Sequence, residues 1–147
     1  MTDPARKPLD LLTSTMKIDP DEFSPMTSTS RAASLGYAIA GWLYMLRRQK
    51  NTRIQAVATI AVSILALWLQ VSSLELAVLV LAITLVWMAE FLNAAFEAII
   101  NIMSPEYHPM AKVGKDVASA AVLLGVVASI IIGLLILGPP LLARLSV

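Results

Sequence analysis

The stretch MAEFLNAAFEAIINIMSPEYHPMAKVGKDVASAAVLLG, residues 88–125, places charged side chains between two strongly apolar runs. Residues 75–87 before it and residues 126–138 after it are apolar enough to lie in lipid. The polar residues of the stretch are Glu90, Asn93, Glu97, His108, Lys115 and Asp116. Because ionisable groups within or beside membrane segments are rare and usually functional, we expect a site here.

The composition of the whole chain also indicates a membrane protein. The 147 residues are 58% hydrophobic with a mean hydropathy of +0.77, which is too apolar for an ordinary soluble domain. A net charge of +1 gives nucleic-acid binding no electrostatic support. The sequence has no Cys, which excludes disulfides, thiolate zinc sites and a cysteine nucleophile.

Three apolar blocks predict three membrane helices, at residues 54–71, 74–100 and 117–138. Each block approaches or exceeds the roughly 20 residues that a helix needs to cross a bilayer. Only two residues separate the first two blocks, so we expect a tight antiparallel hairpin. The third helix is expected to stop at Gly138, because Pro139 and Pro140 follow and proline is a poor continuation of a helix. The predicted fold class is all-α and integral to the membrane.

The basic residues predict the orientation of these helices. Five Lys and Arg residues lie between residues 31 and 53, two lie in the 101–116 loop, and one follows the third block. By the positive-inside rule, the N-terminus and the 101–116 loop face the cytoplasm and the C-terminus lies outside.

The N-terminal 50 residues are predicted to lie outside the spans. Residues 1–29 carry five acidic residues and four prolines, so we expect a disordered cytoplasmic tail and not a secretory signal. Residues 30–50 are typical of an amphipathic helix at the inner interface of the membrane. A fourth span is the alternative, but its apolar core, residues 32–46, is short. Residues 30–147 would then form one membrane domain.

Glu90, Asn93 and Glu97 are spaced i, i+3 and i+7, so they share one face of the second helix. A carboxylate at this depth can accept a proton from a lipid headgroup hydroxyl. A second carboxylate nearer the cytoplasm can hold Mg²⁺ bound to nucleotide phosphates, with Lys115 as a neutralising charge. The sequence has no glycine-rich phosphate loop, so P-loop enzymes and protein-kinase folds are excluded. The plainer alternative is a set of solvated residues at a helix end.

The segments EFLNAAFEAI (residues 90–99) and SPEYHPMAKVGKDVASAAVL (residues 104–123) resemble the signature of a known family. This is the family of small prokaryotic integral-membrane lipid kinases, the diacylglycerol and undecaprenol kinases. A weaker resemblance extends back to Gly36 and Tyr37. The resemblance implies a homotrimer of three-span subunits in the bacterial inner membrane, with active sites shared between subunits. It also implies ATP as co-substrate and Mg²⁺ as cofactor.

By motif position, the resemblance implies roles for individual residues. Glu90 corresponds to the catalytic base, and Asn93 and Ser119 lie with it at the lipid substrate. Glu97 corresponds to a magnesium ligand at the ATP phosphates. The other positions that approach ATP in the family are Tyr37, Glu106, Tyr107, His108, Lys115 and Asp116. His108 fits a nucleotide contact or loop packing better than the role of base.

Three positions depart from the family pattern. Gln49 stands where many members carry a Glu that supplies a second magnesium ligand. A Gln carbonyl can still bind Mg²⁺ but brings no charge. Asn101 stands where Asp is common, and Gly114 stands where Ala is usual. None of these changes touches the proposed base, so the enzyme interpretation holds.

Three functions compete on this sequence. The first is ATP-dependent phosphorylation of a membrane lipid alcohol, with diacylglycerol favoured and undecaprenol as the alternative. The second is a small proton-coupled transporter that uses Glu90, although Lys115 and Asp116 would then have no purpose. The third is a non-catalytic membrane scaffold. We expect lipid selectivity in a groove between the interfacial helix and the second and third spans, where no residue identifies the lipid.

Overall fold

The computed structural model describes residues 30–146, and these residues form four α-helices. The helices are α1, Arg31–Arg48; α2, Lys50–Leu69; α3, Ser73–Met103; and α4, Pro109–Leu145. Of these, α2, α3 and α4 are long and apolar enough to cross a membrane. The predicted all-α membrane fold with three spans is thereby confirmed. The predicted tail, residues 1–29, lies outside the described residues.

The chain divides into two compact units, one ending at Trp42 and one beginning at Leu43. In the first unit, the described residues belong almost entirely to the N-terminal part of α1 and are all exposed. They include several large apolar side chains, among them Leu35, Tyr37 and Ile39. Apolar side chains on one exposed helix are suited to a lipid interface, and the interfacial position of α1 stays a prediction.

The connection between α2 and α3 runs from Gln70 to Ser72. Gln70 ends α2 in the left-handed conformation, with φ of 55°. Ser72 begins α3 with a capping box: its Oγ accepts from the Glu75 backbone N at 3.3 Å, and Glu75 Oε2 accepts from the Ser72 backbone N at 2.7 Å. The reversal makes α2 and α3 antiparallel, as predicted. The core cluster next to it consists of Ala66, Leu69, Leu79 and Leu137.

Among the spans, α3 packs most extensively along α4. Gly125 permits this approach, because a Cβ built there would lie 3.8 Å from Val86 Cα.

The helices α3 and α4 are joined by residues 104–108, so the predicted loop at 101–116 is too long. The reason is local: His108 caps α4 by accepting from the Met110 backbone N at 3.2 Å, and Pro109 occupies the first turn, where a helix needs no N–H from it.

The predicted stop of the third span at Gly138 is wrong, because α4 continues through both prolines to Leu145. The fixed φ of proline is a helical value, so the cost is two missing backbone hydrogen bonds and local crowding. Contacts beyond the prolines offset this cost. Leu141 packs against the core cluster, and the Arg144 guanidinium lies 4.8 Å from the centroid of the Trp68 ring.

Candidate functional site

A groove of about 730 Å³ lies between α2, α3 and α4. Its walls are apolar along most of their length, with side chains such as Leu65, Ile83 and Leu134. Its polar end is formed by Asn51, Gln55, Glu90, Asn93 and Ser119. The sequence analysis predicts a groove with the interfacial helix as one wall, but in the structure α2 forms that wall. A long apolar channel with one polar end suits a hydrocarbon chain that carries a polar head.

Glu90 is the only charged side chain that is buried in residues 30–146, with 4% of its surface exposed. The side chain of Asn51, in the first turn of α2, lines the same end of the groove and interacts with the Glu90 carboxylate. Burial disfavours the ionised form of Glu90, and the polar side chain of Asn51 offsets part of that cost. The structure therefore holds the predicted base at the polar end of the groove.

Asn93 and Ser119 line the same groove as Glu90, as the sequence predicts. The Ser119 Oγ donates to Asn93 Oδ1 at 3.5 Å, a long contact that links α3 to α4.

Asn51 and Gln55 were not among the predicted site residues. Their i, i+4 spacing at the start of an otherwise apolar helix is the signal that could have identified them.

A second pocket, of about 670 Å³, lies at the short connection between α3 and α4, and we call it the loop pocket. It gathers five of the predicted ATP-binding residues, Glu106, Tyr107, His108, Lys115 and Asp116. Asn101 and Lys112 also line it. The Lys115 Nζ donates to Asn101 Oδ1 at 2.6 Å, and Lys112 forms an ion pair with Asp116. The pocket therefore holds cationic groups, which suit phosphate oxygens, and acceptor groups, which suit the hydroxyl and amino groups of a nucleotide.

The groove and the loop pocket are neighbours along α3 and α4. Lys115 and Ser119 are four residues apart on α4, about one helical turn. Glu97 lies four residues from both Asn93 and Asn101. It therefore lies on the same face of α3, between a residue of the groove and a residue of the loop pocket. In the described chain, Glu97 is exposed and lines neither cavity.

Two further predicted residues belong to other parts of the described chain. Gln49 is the N-cap residue of α2 and is half-buried, and it lines neither cavity. Tyr37 lies on α1 in the first unit and is exposed. Their predicted roles, in metal binding for Gln49 and in ATP binding for Tyr37, stay predictions.

The acidic residues fit a magnesium ion only in its nucleotide-bound form. Among residues 30–146, no group of three or more His, Cys, Asp or Glu side chains is placed to hold a metal. Magnesium commonly takes only one or two protein carboxylates and completes its shell with phosphate oxygens and water. The exposed Glu97 carboxylate is suited to that role.

Comparisons with known proteins agree with these features. Residues 36–137 match the family described as prokaryotic diacylglycerol kinase. A diacylglycerol kinase of Synechocystis sp. is 40% identical over 111 residues, which cover 75% of this chain and 63% of that protein. A diacylglycerol kinase of Escherichia coli strain K12 is 31% identical over 96 residues, covering 65% of this chain and 79% of the relative. An undecaprenol kinase of Bacillus subtilis strain 168 is 37% identical over 95 residues, covering 65% and 77%.

Proposed function

Because this chain belongs to the prokaryotic diacylglycerol kinase family, we propose that it transfers the γ-phosphate of ATP to a membrane lipid alcohol. The observation that carries the proposal is the buried Glu90 carboxylate at the polar end of an apolar groove. The loop pocket with Lys115 begins about one helical turn from that end. Acceptor and donor are thus bound in adjacent cavities.

The acceptor lipid places its hydroxyl at Glu90 and its hydrocarbon in the groove. Diacylglycerol is the favoured acceptor, since relatives from Synechocystis sp. and Escherichia coli are named diacylglycerol kinases. Undecaprenol is the alternative, since the Bacillus subtilis relative is named an undecaprenol kinase. The family match favours either kinase over the proton-coupled transporter and the scaffold.

In the transfer step, the Glu90 carboxylate accepts the proton of the lipid hydroxyl as the hydroxyl oxygen attacks the γ-phosphorus. The bond between the γ-phosphorus and the oxygen that bridges to the β-phosphorus breaks, and ADP leaves with that oxygen. Asn51 orients the carboxylate by its hydrogen bond, and Asn93 and Ser119 contact the lipid head. Glu90 then returns its proton to water.

The nucleotide lies in the loop pocket, where Lys115 balances the charge of the phosphates. Asp116, Glu106, Tyr107 and His108 contact the nucleotide there, and Tyr37 has the nucleotide contact that its motif position implies. When bound, Mg²⁺ supplies charge neutralisation at the phosphates, with Glu97 as its carboxylate ligand and Gln49 as a second, neutral ligand.

The enzyme assembles as a homotrimer in the bacterial inner membrane, with its N-terminus in the cytoplasm. The positive residues around α1 and at the start of α4 support this orientation. Exposure of Glu97 in the single chain supports an active site that a second subunit completes. Chemical cross-linking of the detergent-solubilised protein should give a limiting species of three chains, and a monomer under all conditions would contradict the trimer.

The proposal is tested with purified protein in mixed micelles that contain dioctanoylglycerol or undecaprenol. We expect Mg²⁺-dependent transfer of labelled phosphate from ATP to at least one of these alcohols, with diacylglycerol as the better acceptor. An empty-vector membrane extract purified in parallel controls for contaminating kinases. Failure to label either alcohol, at any Mg²⁺ concentration, would contradict the kinase function.

A further inference from the structure

Two buried side-chain atoms in residues 30–146 make no hydrogen bond, the Thr52 Oγ1 and the Gln55 Nε2. Of these two residues, only Gln55 lines the groove. A buried donor without an acceptor is costly, and native proteins leave few of them. An unpartnered N–H donor in the wall of a binding cavity therefore indicates a ligand that brings an acceptor oxygen.

The position of Gln55 along the groove indicates which part of the ligand it meets. Gln55 follows Asn51 by four residues, so both side chains lie on one face of α2, about one helical turn apart. Asn51 is the partner of Glu90, and α2 runs from there along the apolar walls. A lipid whose hydroxyl lies at Glu90 therefore brings the next atoms of its skeleton to Gln55.

Building on the proposed function, we infer that Gln55 determines acceptor specificity by donating a hydrogen bond to an ester carbonyl of the lipid. In 1,2-diacylglycerol, the carbon next to the hydroxyl-bearing carbon carries an ester, so a carbonyl follows the hydroxyl directly along the skeleton. In a polyprenol, the hydroxyl is the only oxygen, and Gln55 would stay without an acceptor. A site that is built to hydrogen-bond its substrate discriminates against analogues that lack the partner. Gln55 therefore selects a glycerolipid over a polyprenol.

The experiment compares two acceptors that differ only in the carbonyl oxygens, dioctanoylglycerol and its dioctyl ether analogue. For the wild-type protein we expect kcat/KM to be about tenfold higher with the ester than with the ether. In Gln55→Leu, which keeps a similar volume, this ratio should fall to about one through a loss on the ester. Gln55→Glu removes the amide donor while keeping the shape, and it should also abolish the ester preference.

Ser63→Ala is the matched control, because it removes an exposed hydroxyl of α2 that bonds to the Thr59 carbonyl within the helix, at 2.8 Å. The control should keep the wild-type ratio. Turnover of undecaprenol should rise in Gln55→Leu, because the variant removes a donor that this alcohol leaves without an acceptor. An ester-to-ether ratio that is the same in wild type and Gln55→Leu would overturn the inference while leaving the kinase intact. An equal loss on all acceptors would also overturn it, since a structural role has that result. No transfer by the wild-type protein to any alcohol would overturn the proposed function and this inference with it.

Discussion

At the scale of single residues, the carboxylates of Glu90 and Glu97, which lie on one face of α3, differ in their surroundings. Glu90 is buried at the end of a groove and has Asn51 as its partner, whereas Glu97 is exposed two turns later. A buried, hydrogen-bonded carboxylate is suited to accepting a proton from a bound hydroxyl, and an exposed one is suited to a hydrated cation. In the proposed mechanism, glutamate thus has two roles that differ with its burial and its neighbours.

The first prediction concerns the metal. Glu97→Ala should raise the Mg²⁺ concentration needed for half-maximal activity, and Gln49→Glu should lower it, because a second carboxylate strengthens a hard-cation site. The measurement is a Mg²⁺ titration of phosphate transfer at saturating ATP. A midpoint for Gln49→Glu that is unchanged or higher than wild type would place Gln49 outside the metal shell.

The second prediction concerns Asn101, which holds the Lys115 ammonium at 2.6 Å without neutralising it. Asn101→Ala frees the ammonium, so the KM for ATP should rise about tenfold with a smaller change in kcat. Asn101→Asp keeps the contact but cancels the charge that would face the phosphates, and it should raise the KM as well. The KM for ATP and kcat of both variants are measured by steady-state kinetics at a fixed lipid concentration. An ATP KM at the wild-type value in both variants would remove Asn101 from this role.

At the scale of helices, the existence of α2, α3 and α4 could be predicted because each carries enough apolar residues to span a membrane. Their ends could not be predicted as well. The continuation of α4 past Pro139 and Pro140 depends on Leu141 and Arg144, whose partners lie on α2 and in the core cluster. Such contacts exist only after the helices have packed, so no local pattern around the prolines reveals them.

A third prediction tests how α3 and α4 pack. Gly125→Leu should destabilise the protein by about 1–3 kcal/mol, because the larger side chain must displace Val86. Gly125→Ala should be nearly neutral, since its Cβ would lie in ordinary contact at 3.7 Å from Val86 Cγ2. Thermal unfolding in detergent measures both effects.

Gly133→Leu is the matched control for this prediction. Apart from its chain neighbours and the adjacent backbone of α4, a Cβ at Gly133 meets no atom of the described residues within 4 Å, and Gly133 lines the groove. This variant should keep the wild-type unfolding temperature while reducing activity with long-chain acceptors. Equal destabilisation by Gly125→Leu and Gly133→Leu would contradict the packing argument.

At the scale of the whole molecule, the sequence predicts the class of site better than its shape. Glu90, Asn93 and Ser119 could be assigned to one site because a motif carries them. Asn51 and Gln55 lie on a different helix, and their approach to Glu90 depends on how α2 crosses α3, which a single sequence does not specify. The proposed trimer could not be predicted from the residues alone for a similar reason, because lipid and protein can both cover the apolar surfaces of the helices.

The fourth prediction is that a protein that begins at Thr29 keeps full kinase activity and its assembled state. The deleted residues contain four prolines and more acidic than basic side chains, so burial in a folded core would contribute little. A second truncation that begins at Ala38 also removes Arg31 and Tyr37, and it should lose activity. Equal activity of the two truncations would contradict a role for the start of α1, and an inactive Thr29 truncation would show that the tail is required.

The most direct test of the account is the rate of phosphate transfer to diacylglycerol by Glu90→Gln. Gln keeps the size and polarity of the side chain but cannot accept the hydroxyl proton, so kcat should fall by about 10²–10⁴ or more while membrane insertion and assembly persist. Glu75→Gln is the control, because Glu75 caps the opposite end of α3 and Gln can replace it in a capping box. Turnover by Glu90→Gln within a few-fold of wild type, with Glu75→Gln at the wild-type rate, would contradict the assignment of Glu90 as the catalytic base.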